Sequence, residues 1–242
     1  TKAIKKLDGS IWVFGTPAEE GYSENAGGKV VMLDEIRKAD AALMLHPGDS
    51  FSAGGHSLAR EAFEIEFLGK PAHAASTPHK GINALDAMIV FFNGVNALRQ
   101  QIRSDARIHG IITKGGDSPN IIPAHTVGKF YVRAETIEYM REVMERVMNC
   151  ARGAALATGT EMKFRKSANT YENSVPNPTL VNLFIDNFRK LGVEVEDPQD
   201  RTKRIGGAAS TDFGNVSQVM PAVSGTVAIV PKGVPGHSHE FE

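Results

Sequence analysis

Carboxylate and imidazole side chains stand in this sequence where strands of a sheet could end. Glu19 and Glu20 are adjacent and follow a short apolar run, His46 follows a second one, and His237 lies near the C-terminal end. Because strand ends can meet at one edge of an open sheet, these side chains could bind a divalent metal ion, and such ligands suit zinc or manganese. A second carboxylate beside a ligand could stay unligated and act as a base on water at the metal.

The same residues also have simpler interpretations. Adjacent glutamates in a loop are often solvated charge, and a histidine before proline, as at His46, is often a turn residue. Motifs for other chemistry are missing: the sequence contains no G-x-S-x-G, Walker, G-x-G-x-x-G or H-E-x-x-H segment. Cys150 lies in a predicted helix with no histidine beside it, which favours a core or surface thiol over a nucleophile.

The elements that must position these residues begin with an α/β pattern. Apolar spacing in the first 56 residues predicts strand, helix and strand, over 11–14, 30–36 and 41–45. This order is typical of a sheet with functional groups at its strand ends. Near the C-terminal end the sequence predicts a helix, a charged loop and a further strand, over 179–191, 194–204 and 222–230.

The middle of the chain has a different periodicity. Its strands alternate polar and apolar residues, and its two helices carry an apolar stripe. The predicted order is strand, helix, strand, strand, helix, strand, over 62–68, 82–102, 107–113, 127–134, 138–156 and 161–165. That order is the ferredoxin-like split βαβ module. We therefore predict an α/β catalytic domain in two parts, 1–56 and 169–242, with a ferredoxin-like α+β lid or dimerisation domain inserted at 57–168.

The composition excludes several classes of protein. The 242 residues carry 27 Lys and Arg against 28 Asp and Glu, a formal charge of −1, and 41% are hydrophobic, which is typical of a folded globular chain. Near-zero charge gives no support for a nucleic-acid or polybasic membrane partner. No apolar run reaches the roughly 18 residues of a spanning helix. A single cysteine suits a reducing compartment, so a cytoplasmic location is expected.

Five segments in order resemble motifs of the M20 metallopeptidases, especially their amidohydrolase branch, with its aminoacylase- and carboxypeptidase-like members. They are GTPAEE (15–20), HPG (46–48), GKPAHAA with GINA (69–75 and 81–84), PNIIP (119–123) and HSHEF (237–241). The resemblance spans nearly the whole chain. It implies an M20-type mixed sheet with flanking helices, incomplete here, and the inserted lid domain.

The resemblance also implies roles for the matching residues. Glu19 would be the general base, and two zinc or manganese ions would be held in part by Glu20, His46 and His237. His73 would reach across a homodimer to stabilise the oxyanion in the partner's active site. Asn120 would help to hold the substrate. His239 competes with His237 as a ligand, and the match to the first histidine of the closing motif favours His237.

The implied activity is metal-dependent hydrolysis of an amide or peptide bond next to a free carboxylate. Substrates would be N-acyl amino acids, dipeptides or aminobenzoyl-glutamate-like amides. Family members carry further metal ligands upstream of the GTPAEE segment, where this sequence offers only Asp8, so the N-terminal ligand segment is expected to be missing from this chain. The alternative is a non-catalytic fragment or pseudoenzyme that acts as a dimerisation or binding module.

Overall fold

The protein contains two sheets with helices packed on them. The computed structural model describes residues 8–19, 26–196, 209–234 and 238–240. Within these residues the helices are α1 (Gly28–Val31), α2 (Leu33–Ile36), α3 (Ala84–Leu98), α4 (Ile137–Thr158), α5 (Pro178–Lys190) and α6 (Phe213–Val219). The strands are β1 (Ala42–Gly48), β2 (Ser52–Ala53), β3 (Ala59–Leu68), β4 (Arg107–Lys114), β5 (His125–Ala134), β6 (Glu161–Lys166) and β7 (Ala222–Ala228).

The larger sheet has four antiparallel strands in the order β4-β5-β3-β6. With α3 between β3 and β4, and α4 between β5 and β6, this is the ferredoxin-like arrangement predicted from the sequence. The period-two pattern of β3 sets which face is dry, because Phe63, Ile65 and Phe67 all have no exposed surface.

Two capped helices cover the dry face of this sheet. The Asn83 side chain accepts the Leu85 N–H at 2.9 Å and starts α3, and Gly159, with φ of 73°, ends α4 in the left-handed conformation. The rings of Phe91 and Phe130 meet at 5.0 Å between helix and sheet. Each fully buried side chain of this kind stabilises the fold by about 1.5–3 kcal/mol.

The smaller sheet has the order β1-β7-β2. Strands β1 and β7 are parallel, with Ala42 opposite Ala222 and His46 opposite Thr226, so their carboxyl ends share one edge. Strand β2 is antiparallel to β7. A separate core forms where α2 and α6 meet this sheet, and it includes Ile36, Phe213 and Val216.

The N-terminal strand prediction is wrong. Residues 11–14 form no strand, and the side chains of Ile11, Trp12 and Val13 are all more than half exposed. A run of apolar residues becomes a strand only when a neighbour pairs with its backbone, and no described strand pairs with this one. The predicted helix over 30–36 is also divided, into α1 and α2.

The four-stranded sheet joins the rest of the chain at the start of β3. Arg60 and Tyr171 exchange both of their backbone hydrogen bonds, at 2.9 and 3.0 Å. The sheet and its helices occupy 59–166; the domain limits 57–168, 1–56 and 169–242 remain a prediction. Among the residues described here, no helix is both long and apolar enough to cross a membrane.

Candidate active site

Glu19 stands on a loop whose two ends are tied together by backbone hydrogen bonds. The Gly27 N–H donates to the Ala18 carbonyl at 3.0 Å, and the Gly28 N–H donates to the Pro17 carbonyl at 3.1 Å. A Cβ on residue 28 would lie 2.1 Å from the Pro17 oxygen, so this close approach requires glycine. The chain therefore leaves and returns at one point, and half-buried Glu19 lies directly beyond it.

Tyr171 packs against this loop and contacts Glu19. Its hydroxyl donates to the Glu19 backbone carbonyl at 3.4 Å, and the Arg60 guanidinium lies 3.8 Å from the centre of its ring. Burial raises the pKa of Tyr171; the nearby Arg60 opposes this rise, and the carboxylates of Asp212 and Glu19 add to it. The hydroxyl therefore remains protonated at neutral pH and can donate.

A buried ion pair holds the C-terminal side of the same loop. Asp212 has no exposed surface, and its two carboxylate oxygens accept from the Lys29 backbone N–H at 2.9 Å and from Lys29 Nζ at 2.8 Å. Gly27, at the start of α1, provides no side-chain cap. The Asp212 carboxylate therefore caps this helix turn from a distant part of the chain and neutralises the ammonium group beside it.

The sequence predicted that His46 follows a strand, whereas in the structure it lies within β1. The strand continues through Gly48 because each residue from 42 to 48 pairs with β7. The imidazole is exposed, and its Nδ1 lies 2.7 Å from the Pro47 carbonyl oxygen. Since a carbonyl can only accept, Nδ1 carries the proton, and Nε2 of the neutral ring keeps its lone pair. A histidine that binds a metal through one nitrogen and a backbone carbonyl through the other has this arrangement.

His73 and Asn120 are brought together by two adjacent loops. The Ala74 N–H donates to the Asn120 carbonyl at 2.9 Å, and residue 73 forms an isolated antiparallel bridge with Ile121. His73 Nδ1 accepts backbone N–H groups from residues 75 and 76, each at 3.2 Å. The neutral ring therefore carries its proton on Nε2, where it can donate to a developing negative charge. The Asn120 side chain is exposed and bonds to the Ser118 hydroxyl.

A basic cluster lies where the four-stranded sheet faces the loop before α6. Arg133 donates to the Ser210 hydroxyl at 2.7 Å, and it pairs across the strands with Arg60. Burial lowers the pKa of Arg133, and the charge of Arg60 lowers it further. Burial also lowers the pKa of His109, with Arg133 contributing, so this imidazole is neutral at physiological pH. Arg60 and Arg133 therefore place positive charge on the side of the sheet that contacts Tyr171.

The predicted site residues are only partly within the described structure. Glu19, His46, His73 and Asn120 are described, whereas Glu20 and His237 lie outside the described residues. Within the described ranges, no group of three or more His, Cys, Asp or Glu side chains could hold a metal ion. The structure places His73 beside Asn120, and the metal-ligand set of Glu20, His46 and His237 stays a prediction.

Structural environments also surround the single cysteine and two further histidines, His125 and His56. Cys150 lies in α4, 3.2 Å from where a Cβ on Gly94 would stand, and burial raises the pKa of its thiol, which disfavours the nucleophilic thiolate. His125 contacts Glu66 at 2.9 Å across two neighbouring strands. His56 lies 3.9 Å from Glu135.

Sequence reasoning missed the residues that support Glu19. Arg60, Tyr171 and Lys29 belong to no motif, and the sequence indicates no role for Ser210 or Asp212. Lys29 and Asp212 are 183 residues apart, so no local spacing connects them. The pairing of Tyr171 with Arg60 likewise joins a strand to a segment without regular secondary structure. Only the folded chain shows these contacts.

Comparison with known proteins agrees with the fold and the motifs. The peptidase dimerisation domain of the M20 family matches residues 61–158. Xaa-Arg dipeptidase from Homo sapiens is 37% identical over 215 residues, which cover 88% of this chain and 48% of that protein. A p-aminobenzoyl-glutamate hydrolase chain from Escherichia coli is 38% identical over 191 residues, covering 76% of this chain and 38% of that protein.

A solved structure supports the same fold. The aminobenzoyl-glutamate utilization protein from Klebsiella pneumoniae superposes with a TM-score of 0.70 at 20% identity, covering 88% of this chain and 56% of that one. The matches support a mixed α/β fold that includes a ferredoxin-like domain. Residues 61–158 belong to the M20 peptidase dimerisation domain family, and the chain is similar over most of its length to the dipeptidase and to the hydrolase. It spans about half the length of the human dipeptidase that it matches.

Proposed function

We propose that the protein is a divalent-metal-dependent hydrolase of an amide or peptide bond next to a free carboxylate, acting as a cytoplasmic homodimer. The similarity to Xaa-Arg dipeptidase over most of the chain carries this proposal. The names of the relatives point to dipeptides and to aminobenzoyl-glutamate-like amides as substrates. N-acyl amino acids share the same amide and carboxylate and belong to the same class.

The proposed metal ligands are Glu20, His46 and His237, with zinc or manganese as the ion. The orientation of His46 supports this, because its protonated Nδ1 bonds to a backbone carbonyl and Nε2 remains available. His237 follows β7, whose carboxyl end lies beside that of β1. When bound, a divalent ion polarises the amide carbonyl and makes water more acidic.

The protein's own groups would manage the proton and the developing charge. Glu19 would take a proton from the attacking water and deliver it to the leaving amine. His73 would donate from Nε2 to the oxyanion in the partner subunit's site, as the proton position in its loop supports. Asn120, beside His73, would orient the substrate.

A hydrolysis assay on the full-length protein tests the proposed amide hydrolysis. We expect amine release from p-aminobenzoyl-glutamate, from an Xaa-Arg dipeptide or from an N-acyl amino acid. Chelation should abolish the release, because the amide carbonyl then loses its Lewis acid, and added zinc or manganese should restore it. The control is the same amide with its carboxylate esterified. It lacks the free carboxylate and should be a poor substrate. Failure to cleave any of these amides with either metal present would contradict the proposal.

The proposed dimer surface consists of the free edge of β4 and the exposed side of α3. In the described sheet, β4 is an edge strand, and its end lies near the start of α3: a Cβ on Gly115, the residue after β4, would lie 3.8 Å from Leu85 on α3 and 3.9 Å from Ile112 on β4. Ile89 and Ile112 are 46% and 41% exposed. A second copy would cover these apolar side chains and the unpaired backbone edge.

Replacing Ile89 with aspartate should therefore weaken the dimer. A charge at a covered apolar position loses its hydration on association, so we expect the mass in light scattering to fall towards the monomer at tens of micromolar. Amide hydrolysis should fall about tenfold or more, since His73 would no longer reach the partner's site. Leu183→Asp is the control, because Leu183 lies on α5 and is similarly exposed at 55%. A wild-type protein that is strictly monomeric at this concentration would contradict the assignment of His73.

A further inference from the structure

Tyr171 contacts the loop of Glu19 on two sides, and its environment is unusually restrictive. The residue is only 3% exposed. Its backbone is fixed by the two-way pairing with Arg60. Its ring lies between the Arg60 guanidinium and Gly27, where a Cβ would come within 2.7 Å of ring atom Cε1. The ring therefore has almost no freedom to move away from the loop.

The hydroxyl of this fixed ring is directed at the residue proposed as the base. It donates to the Glu19 backbone carbonyl, which is an acceptor on a segment without helix or strand bonds of its own. The neighbouring Asn169 side chain donates to the Ala26 carbonyl at 3.0 Å on the other limb of the loop. Both limbs are thus tied to the segment that follows β6.

We propose that Tyr171 is a positioning residue, which holds the backbone of Glu19 through its hydroxyl and so sets where the Glu19 carboxylate stands. Arg60 restrains the Tyr171 ring through the stack of its guanidinium on that ring, and its Nη2 donates to the Asn169 carbonyl at 3.3 Å. The role in catalysis rests on the proposed function, whereas the role in holding the loop does not. Neither Arg60 nor Tyr171 needs to touch the substrate.

Tyr171→Phe removes only the hydroxyl and keeps the ring, the stack and the contact with Gly27. We expect kcat for amide hydrolysis to fall about threefold to tenfold with KM changed less than twofold, as the loss of one hydrogen bond to a catalytic loop implies. By hydrogen–deuterium exchange, the amides of Gly27 and Gly28 should exchange several-fold faster, because the loop base that they close is loosened.

Tyr139→Phe is a matched control within the same chain. Tyr139 is also buried, its ring lies under the Arg103 guanidinium at 4.0 Å, and its hydroxyl accepts the Arg103 backbone N–H at 2.7 Å. It belongs to α4 of the four-stranded sheet domain, and its hydroxyl bonds to the segment before β4 instead of the loop of Glu19. This variant should lose a similar amount of stability with kcat and loop exchange unchanged.

The two measurements separate the possible failures. An unchanged kcat in Tyr171→Phe, with wild-type activity present, would overturn the catalytic part of the proposal. Unchanged exchange at Gly27 and Gly28 would overturn the positioning itself. If the wild-type protein cleaves no substrate but Tyr171→Phe still accelerates this exchange, the positioning stands and the proposed function fails.

Discussion

Glu19→Gln should lower kcat for amide hydrolysis by about 10²–10⁴-fold, the range that a positioned general base contributes. Glutamine keeps the size of the side chain but cannot take a proton from water. The Tyr171 hydroxyl donates to the backbone carbonyl of Glu19, which this substitution leaves in place, so the loop should keep that contact in the variant. Steady-state kinetics on the full-length protein measure the effect, and an unchanged thermal midpoint confirms that the fold is intact.

Glu35→Gln provides the comparison for this experiment. Glu35 is an exposed carboxylate on α2 in the same part of the chain, paired with Lys38, and its replacement should leave kcat within twofold. If Glu19→Gln retained wild-type activity, Glu19 would not be the base. If the wild-type protein itself cleaved none of the amides, the chain would be better explained as a dimerisation or binding module built on its four-stranded sheet.

The four-stranded domain could be predicted because short stretches of sequence indicate its helices and strands. Helix α3 was expected over 82–102 and is found at Ala84–Leu98, with a short 3-10 turn at Arg99–Gln101, and its beginning at the Asn83 cap is a local signal. The strands alternate in polarity because one face is dry. Each element therefore follows from residues that are close together in the sequence.

The smaller sheet was predicted less well because tertiary contacts decide its elements. Strand β2 has only two residues, and α6 has the sequence FGNVSQV, in which Gln218 is the single strong helix former. The first five residues of α6 are nevertheless buried, with Gly214 packed so closely that a Cβ would lie 2.0 Å from the Glu172 carbonyl oxygen. Packing of this kind joins segments far apart in the chain, and no window of sequence contains it.

The candidate site also contains some residues that the sequence could indicate and others that only tertiary contacts reveal. The motif residues Glu19, His46, His73 and Asn120 could be identified by resemblance, and their roles remain proposals. The side chains that hold the loop of Glu19 in place could not be identified, since an aromatic ring or a buried aspartate has no sequence pattern that names its partner. His46 was expected after a strand and lies within β1, because pairing with β7 extends the strand by three residues, His46 to Gly48.

Lys29→Met should destabilise the protein by about 3–5 kcal/mol, the cost of leaving a buried charge without its partner. Asp212 has no exposed surface, whereas the Lys29 side chain is 13% exposed. Methionine fills much the same volume but, within the described part of the chain, leaves the carboxylate only the backbone N–H donor of residue 29. The carboxylate would also remain close to Tyr171, whose ring offers it no compensating charge. Urea unfolding, followed by circular dichroism, measures the loss as a lower midpoint at constant slope.

The reverse replacement should cost less, and this asymmetry tests the cause. In Asp212→Asn the ammonium group of Lys29 loses its partner but can reach water through its exposed fraction, while the asparagine oxygen can still accept the Lys29 backbone N–H. The double variant Lys29→Met, Asp212→Asn should recover part of the stability lost in Lys29→Met, because no buried charge remains. A double-mutant cycle with no coupling between the two positions would show that the ion pair does not hold this loop.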